Sequence, residues 1–300
     1  MTKGFRVIES VLRGDEHLVF NLTVLSELHK IGLLNSFSAK TDILALYHNH
    51  LPLLDGLKAR QKNLSESRVL FLTGSWLVLF KCLIIKGEKV IIFHNFYGFL
   101  ENSSWRSIVK FYTYKTLIRL GRIKPVVLNN YIKSFVETKT NLHHGVIQIA
   151  YNLEIIEAVA PKDVMKNSIE IAIYGNLFPG KVNHTFLEFL EPKHFGKLHG
   201  GMKYKNSIDK YLSTKDYYNC MRATEKTCVL NNNNHRVASG VLADTIALGK
   251  RIICFEDRYL QNLVLQYNLE CTRFGNYLEI DLEPLQDNMY KEFIKDLERL

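Results

Sequence analysis

The chain has 300 residues, 47% hydrophobic and 23% charged, which is enough for one large or two mid-sized domains with a full core. This balance excludes an intrinsically disordered chain. The net charge of +9 and the pI of about 9.1 favour an anionic partner, whether a nucleotide phosphate, nucleic acid or an anionic membrane face.

Strands and helices alternate along the first half. The predicted strands are Phe5–Val11, Asp42–Tyr47, Ser67–Leu72, Lys89–Phe93, Pro125–Leu128 and Val146–Ile149. The predicted helices are His17–Ile31, Ser75–Lys86 and Ser103–Leu120. Such alternation predicts parallel pairing in a doubly wound sheet.

A second unit is predicted after Leu153–Ser168, which breaks the periodicity and contains Pro161. Its predicted elements are strands at Ile169–Tyr174, Thr227–Leu230 and Arg251–Phe255, and helices at His184–Leu190, Thr214–Ala223 and Leu285–Leu300. The predicted fold class is therefore α/β with two Rossmann-like doubly wound domains. These are residues 1–155 and 166–284, followed by a C-terminal helix at 285–300 that can pack back on the first domain.

Cysteine usage and hydropathy indicate the compartment. The five cysteines are scattered, without a CxxC pair, so neither a disulfide framework nor a zinc site follows. Met1–Val11 is interpreted as a strand rather than a secretory signal. The most apolar window, Val69–Ile85, includes Lys81 and is shorter than the ~20 residues of a membrane span. We expect a cytoplasmic protein.

The stretch Cys228–Asp257 predicts an anion site. A strand is followed by a polar loop and by a short helix that Ser239 can cap and Gly249 can end. The unpaired N–H groups at the start of that helix, together with its dipole, suit a phosphate. Asp244 lies on the first turns, near enough to reach a sugar hydroxyl beside the phosphate. A nucleotide is expected here.

A second glycine-containing turn follows the strand Ile169–Tyr174. Its sequence GNLFPGK matches GxxxxGK, but Val182 stands where a P-loop has the Mg²⁺-binding Ser or Thr. A diphosphate contact by Lys181 and a surface turn with a solvated lysine are both compatible with it. In a parallel sheet this turn and the Ser239–Gly240 end lie at one edge, where doubly wound folds bind ligands.

The stretch SGVLADTIALGKRII (Ser239–Ile253) resembles the phosphate-binding helix of GT-B fold glycosyltransferases, especially bacterial family 4-like enzymes of polysaccharide and O-antigen assembly. In that family two acidic residues eight positions apart contact the donor sugar and the ribose. Asp244 occupies the second place, whereas Arg236 stands in the first. The resemblance implies that Asp244 holds the ribose, while the acidic contact to the sugar does not carry over.

YGNLFPGK is similar to the family's G-R-L-x-x-x-K segment. Gly175, Leu177 and Lys181 match it, and Asn176 replaces the arginine. The resemblance implies that Lys181 binds the donor diphosphate, with Arg236 supplying a replacement charge. The donor-binding residues that follow from both segments are Gly175, Asn176, Lys181, Arg236, Ser239, Gly240, Val241 and Asp244.

The first half resembles the family more loosely. IIFHN (Ile91–Asn95) is similar to a strand whose histidine faces the ligand, so His94 would contact the transferred sugar or carry a proton. A structural histidine at a domain edge is the alternative. Asp15 and Glu16 follow the first strand, where the family binds its acceptor. An inverting enzyme needs a base there, which would be Asp15 or Glu16, with His17 as a weaker candidate. In a retaining enzyme Asp15 and Glu16 would only cap the next helix.

The segment Asn102–Val136 combines basic and aromatic residues, which suits an anionic membrane surface. Projected on a helix, its basic residues fall on two opposed faces, so an ordinary packed helix with snorkelling lysines is an equal alternative. No motif of nucleic-acid recognition is present, and no nucleic-acid partner is expected.

The sequence predicts a metal-independent glycosyltransferase of hexosyltransferase type. It would move a sugar from a nucleotide-sugar donor to a glycan or lipid-linked acceptor in cell-surface polysaccharide assembly, without a further cofactor. Its expected location is cytoplasmic or peripheral on the inner face of the membrane. The alternatives are a nucleotide-sugar epimerase, a P-loop-like NTPase and a catalytically degenerate binding protein.

Overall fold

The computed structural model describes residues 4–9, 17–51, 68–94, 105–163, 168–177, 184–229, 240–255 and 258–300. The contacts among these residues divide the chain into two compact units. The first unit contains the described residues up to Ile149 together with Lys291–Leu300. The second contains those from Ala150 to Tyr290.

The first unit is built on a six-stranded parallel sheet. Its strands are β1 (Phe5–Ile8), β2 (Leu34–Ser38), β3 (Arg68–Phe71), β4 (Lys89–Phe93), β5 (Lys124–Val127) and β6 (Gly145–Val146). Their order is β2-β1-β3-β4-β5-β6, so β1 pairs with β2 on one side and β3 on the other. The point at which the winding reverses therefore lies between β1 and β3.

Helices connect these strands and cover the sheet. They are α1 (Leu18–Lys30), α2 (Thr41–His50), α3 (Trp76–Ile84), α4 (Trp105–Arg119) and α5 (Asn130–Thr140). Every residue of α1 from Leu18 to Leu28 is buried, as expected for the central helix of a doubly wound unit. Gly32 ends α1 with a φ of 72°, and the Leu33 N–H returns to the Leu28 carbonyl.

The second unit contains a seven-stranded mixed sheet. Its strands are β7 (Ile169–Tyr174), β8 (Lys193–Gly196), β9 (Ser207–Asp209), β10 (Thr224–Val229), β11 (Arg251–Phe255), β12 (Cys271–Phe274) and β13 (Tyr277–Asp281). The order is β12-β13-β11-β10-β7-β8-β9, with β7 to β11 parallel and β12 and β13 antiparallel. The winding reverses between β7 and β10.

The helices of this unit follow the same alternation. They are α6 (Leu153–Val159), α7 (His184–Leu190), α8 (Thr214–Ala223), α9 (Gly240–Ala247), α10 (Arg258–Tyr267) and α11 (Leu285–Arg299), whose last part belongs to the first unit. The predicted fold class of two Rossmann-like α/β units is thereby confirmed. The predicted limits of the two domains stay a prediction. No described helix is both long and apolar enough to cross a membrane.

Two predicted elements are wrong. Asp42–Tyr47 lies inside the helix α2, and the second strand is instead Leu34–Ser38. Ile43 and Tyr47 are buried four residues apart, which is one face of a helix. The predicted linker at Leu153–Ser168 begins with the helix α6, whose first turn is capped by the Asn152 side chain through the Glu154 N–H at 2.8 Å.

The end of α11 completes the first unit. Phe293 is fully buried, with its ring centroid 6.4 Å from that of Phe20 on α1. Asp296 accepts a hydrogen bond from the Gln148 N–H at 3.0 Å, and the Arg68 guanidinium donates to the Leu300 carbonyl. The last turns of the chain are therefore part of the core of this unit.

We expect Phe293→Ala to lower the free energy of unfolding by about 3–5 kcal/mol, because the truncation leaves a cavity against α1. Urea denaturation followed by circular dichroism measures this loss. Glu298→Ala, an exposed change on the same helix, is the control and should cost less than about 0.5 kcal/mol. Equal losses in the two variants would contradict the packing described for α11.

Candidate functional site

The candidate site of the second unit lies where its sheet reverses its winding. Ligands of doubly wound sheets bind at the carboxyl ends of the two strands that flank this point. Here these strands are β7, which ends at Tyr174, and β10, which ends at Val229. GNLFPGK follows the first and NNNNHRVASG closely follows the second. The two segments that the sequence predicts to bind phosphate therefore leave the two flanking strands.

Part of each segment lies outside the described residues. Five of the predicted site residues are outside the described part of the chain: Asp15, Glu16, Lys181, Arg236 and Ser239. Gly175, Asn176, Gly240, Val241 and Asp244 are described in the second unit, and His94 in the first.

Gly175 begins the first segment in a fixed conformation. Its φ of 93° is one that glycine adopts without strain. Its N–H donates to the Phe195 carbonyl at 2.9 Å, and its carbonyl lies 2.8 Å from the His194 Nε2. A carbonyl only accepts, so this nitrogen carries the proton, and Nδ1 accepts from the Ser207 hydroxyl at 2.7 Å. A Cβ on Gly196 would meet the Gly175 carbonyl at 2.1 Å, so Gly196 also requires glycine.

Asn176 and Leu177 continue from this anchored glycine. Leu177 is fully buried, and its N–H donates to the Lys197 carbonyl at 3.0 Å. Asn176, which stands in the place of the family's arginine, accepts a hydrogen bond from the Tyr211 hydroxyl at 2.8 Å. The amide is thus held at the sheet edge beside the predicted diphosphate position, without adding a charge there.

The helix α9 presents its amino end to the same edge. A helix that connects two parallel strands runs opposite to them, so its first turn lies at their carboxyl ends. Gly240, its first residue, is exposed, and Val241 is half-buried. The first N–H groups of a helix have no partner within it, and the dipole makes this end positive. Gly240 and Val241 therefore lie at the carboxyl edge of the sheet, and their phosphate contact stays a prediction.

Asp244 lies one turn further along, in a cluster of tyrosines. It is 6% exposed, and its two oxygens accept hydrogen bonds from Tyr217 at 2.7 Å and Tyr218 at 2.6 Å. Tyr151 lies close enough for the Asp244 charge to add to the rise of its pKa, which burial dominates. Each oxygen of an ionised carboxyl can accept a second hydrogen bond, so a ribose hydroxyl need not displace a tyrosine. The predicted ribose contact stays a prediction.

Burial governs the protonation of Asp244. It raises the pKa of this carboxyl to about 7, because the charged form is removed from water, while the hydrogen bonds from Tyr218 and Tyr217 oppose the rise. Near pH 7 a small change in pH therefore alters the fraction of this carboxyl that is charged. Loss of its proton would add a negative charge close to the predicted phosphate position.

The first unit has a buried polar cluster at the corresponding edge, which the sequence analysis missed. Glu9 directly follows β1 and is 1% exposed. Its Oε2 accepts from the Asn21 amide at 3.0 Å and from the Thr73 hydroxyl at 2.8 Å, so it joins the ends of β1 and β3. The Asn21 amide also donates to the Tyr47 hydroxyl at 2.9 Å. In the sequence, the one indication of this cluster is that the acidic Glu9 directly follows the apolar strand residues.

His94 lies at the end of β4, beside this cluster. Its Nε2 is 2.9 Å from the Leu72 carbonyl, and its ring stacks on His17 at a centroid distance of 4.1 Å. Burial and the neighbouring His17 lower the pKa of His94 to about 3, so the ring is neutral at physiological pH. Since Nε2 donates to a carbonyl, Nδ1 is the acceptor nitrogen. The ring suits a contact with a sugar hydroxyl better than it suits a proton carrier.

His17 directly precedes α1 and has an uncommon backbone conformation. Its φ of 60° and ψ of 12° are in the left-handed region, which costs energy for a residue other than glycine. The stacking of its ring on His94 is one interaction that this conformation makes. Among the described residues no group of three or more His, Cys, Asp or Glu side chains is arranged to hold a metal. The metal-independent mechanism stays a prediction.

Comparison with known proteins adds little. No family model and no curated protein matches the sequence. Among solved structures the chain is similar to the spinosyn forosaminyltransferase SpnP, with 11% sequence identity and a TM-score of 0.40 over 99% of this chain and 93% of that one. A likeness of this size carries no argument about activity.

We expect the stability of the protein to depend on pH through Asp244. Between about pH 4 and pH 7 the folded state keeps a proton on this carboxyl that the unfolded chain has lost, so the free energy of unfolding falls as pH rises. Relative to Asp244→Asn, the wild type should lose on the order of 4 kcal/mol across this window.

Urea denaturation of both proteins at several pH values measures this difference. Asp287→Asn, which changes an exposed carboxylate, is the control and should show no comparable pH dependence relative to the wild type. A constant difference between wild type and Asp244→Asn at all pH values would mean that Asp244 does not titrate in this range.

Proposed function

We propose that this chain is a GT-B-type glycosyltransferase, which moves a sugar from a nucleotide-sugar to a glycan or lipid-linked acceptor of cell-surface polysaccharide assembly. One observation carries the proposal. The two segments whose sequences suit a diphosphate follow the two strands, β7 and β10, that flank the reversal of winding in the second sheet.

The second unit would hold the donor. The Gly240 and Val241 amides and the positive end of α9 would bind the diphosphate, with Lys181, Arg236 and Ser239 completing the contact. When the glycosidic bond to the diphosphate breaks, negative charge accumulates on the leaving group. Fixed cations and amides that stabilise this charge lower the barrier and can replace a metal ion.

The first unit would meet the acceptor and the transferred sugar. Glu9 fixes the ends of β1 and β3, and neutral His94 offers Nδ1 as an acceptor for a hydroxyl. Asp15 and Glu16 remain the candidates for a base that removes the proton of the acceptor hydroxyl. A lipid-linked acceptor would bring the protein to the inner face of the membrane.

The first test is the thermal stability of the protein with a panel of nucleoside diphosphates. A ligand that binds only the folded state at a hundredfold excess over Kd stabilises it by about 2.7 kcal/mol. We expect one nucleoside diphosphate to raise the melting temperature and Lys181→Ala to remove most of this rise. Lys193→Ala, an exposed change at the amino end of β8, is the matched control and should keep the full rise.

The corresponding nucleotide-sugar then distinguishes the activities by their products. Transfer gives a glycosylated acceptor and the nucleoside diphosphate, whereas an epimerase gives a changed sugar without an acceptor. A nucleoside triphosphatase would need Mg²⁺ and release phosphate. The proposal fails if no nucleotide shifts the melting temperature, or if Lys181→Ala and Lys193→Ala respond alike. Binding without turnover of any acceptor would favour the degenerate binding protein.

A further inference from the structure

The first unit exposes an unusual amount of apolar side chain on α3 and α4. Most of the large hydrophobic residues that the described part of the chain exposes belong to these helices or to the residue that follows α4. They are Leu77, Phe80, Leu83, Ile84, Trp105, Ile108, Val109, Tyr112 and Leu120, and together they define the α3–α4 surface. Exposed apolar residues that cluster in this way mark an interaction site.

The apolar residues of α4 follow the helical repeat on its outer face. Trp105, Ile108 and Tyr112 are 70%, 50% and 63% exposed at positions i, i+3 and i+7. Tyr114 and Leu117 are buried on the opposite face. The helix therefore has an apolar stripe directed away from the core as well as one directed towards it.

The neighbouring helix α3 repeats this arrangement. Leu77, Phe80 and Ile84 are exposed, and Ile84 reaches 83%, while Val78 and Leu79 are buried. The buried faces of both helices belong to the same core cluster, and the two helices contact each other. Their exposed stripes therefore lie side by side.

The charges around these stripes have one sign. Neither α3 nor α4 contains an acidic residue, and their cations are Lys81, Arg106, Lys110, Lys115 and Arg119. At about 100° per residue, Arg106 lies a little over a quarter turn from Trp105 on one side of the stripe, and Lys115 lies about 20° beyond Ile108 on the other. The guanidinium of Arg106 lies 5.6 Å from the centre of the Trp105 ring.

This arrangement changes the interpretation of the basic residues. Projected from the sequence alone, they occupy opposed faces of a helix, which argues against an interfacial helix. In the structure, Lys115 and Arg119 continue one side of the exposed apolar stripe and Arg106 lies on its other side, while Lys110 lies towards the buried face. An apolar face bordered by cations, with Trp and Tyr among its members, is the composition of helices that lie in a membrane interface.

We propose that the α3–α4 surface binds an anionic lipid membrane, with its apolar side chains inserted among the acyl chains and its cations on the headgroups. The inference goes beyond sugar transfer, because it concerns where the protein binds and requires neither donor nor acceptor. Neither helix is long enough to span: the fifteen residues of α4 extend about 22 Å, against about 30 Å of hydrocarbon. The surface would lie on the membrane.

Charge favours a membrane over a second copy of the chain. A symmetric dimer through this surface would bring each set of cations against an identical set without acidic partners on either helix. Anionic headgroups neutralise the same cations. Each Lys or Arg near an anionic leaflet then contributes about a fivefold increase in partitioning.

Sedimentation with vesicles tests the proposal. We use wild type and two variants that change only exposed residues, Leu77→Ser/Ile84→Ser/Tyr112→Ser and Lys81→Gln/Arg106→Gln/Arg119→Gln. The wild type should bind vesicles that contain phosphatidylglycerol far better than pure phosphatidylcholine vesicles, and salt should weaken the binding. Each variant should lower the partition coefficient at least tenfold while its melting temperature stays unchanged.

Matched controls change similarly exposed residues elsewhere. Phe189→Ser/Leu265→Ser removes apolar side chains that are 76% and 79% exposed, and Lys203→Gln/Lys210→Gln/Lys291→Gln removes three cations. The first control should bind vesicles like the wild type. The second should lower the partition coefficient less than the variant that removes Lys81, Arg106 and Arg119.

Three results would overturn the proposal. The first is a folded wild type that does not bind anionic vesicles, and the second is an equal loss in variants and controls. The third is a wild-type dimer that the apolar variant dissociates in analytical ultracentrifugation, which would assign the surface to a second copy. Vesicle binding is measured without a nucleotide-sugar, so its failure would leave the proposed transfer activity untouched.

Discussion

The parallel pairing of one strand with neighbours on both sides is the constraint on which each unit depends. β1 pairs with β2 and β3, and β7 pairs with β8 and β10. Because the chain must return to the amino end of the sheet after every parallel strand, the carboxyl ends of the parallel strands meet at one edge. Distant segments are thereby brought together at that edge. In the first unit it carries Glu9 and His94, and in the second it carries Gly175 and the start of α9.

The two edges differ in their chemistry in a way that suits a division of labour. The edge of the second unit offers backbone amides and the positive end of a helix dipole, which are groups that bind an anion. The edge of the first unit offers Glu9, whose carboxylate is held by Asn21 and Thr73, and the neutral ring of His94. These are groups that accept hydrogen bonds from hydroxyls. In the proposed function, the first kind of group would bind the diphosphate of a nucleotide-sugar and the second would bind hydroxyls.

Sequence patterns predicted the fold well where most of a strand is buried and its ends carry clear turn signals, as in Lys89–Phe93 and Ile169–Tyr174. They failed for Asp42–Tyr47, because a short apolar run has no period that separates strand from helix. The hairpin of β12 and β13 was missed although Gly275 begins a Gly-Asn turn between its strands. Glu9 was missed because its role depends on partners that lie 12 and 64 positions away.

The most direct test of the central claim, that the edge of the second unit binds a nucleotide, is hydrogen exchange measured by mass spectrometry with and without the nucleoside diphosphate that stabilises the protein. The account predicts slower exchange in peptides covering residues 175–183 and 230–243, because the ligand would bind the amides at the ends of β7 and β10. The first unit should change little with the diphosphate alone. Protection confined to the first unit, or absent from both of these segments, would contradict the account.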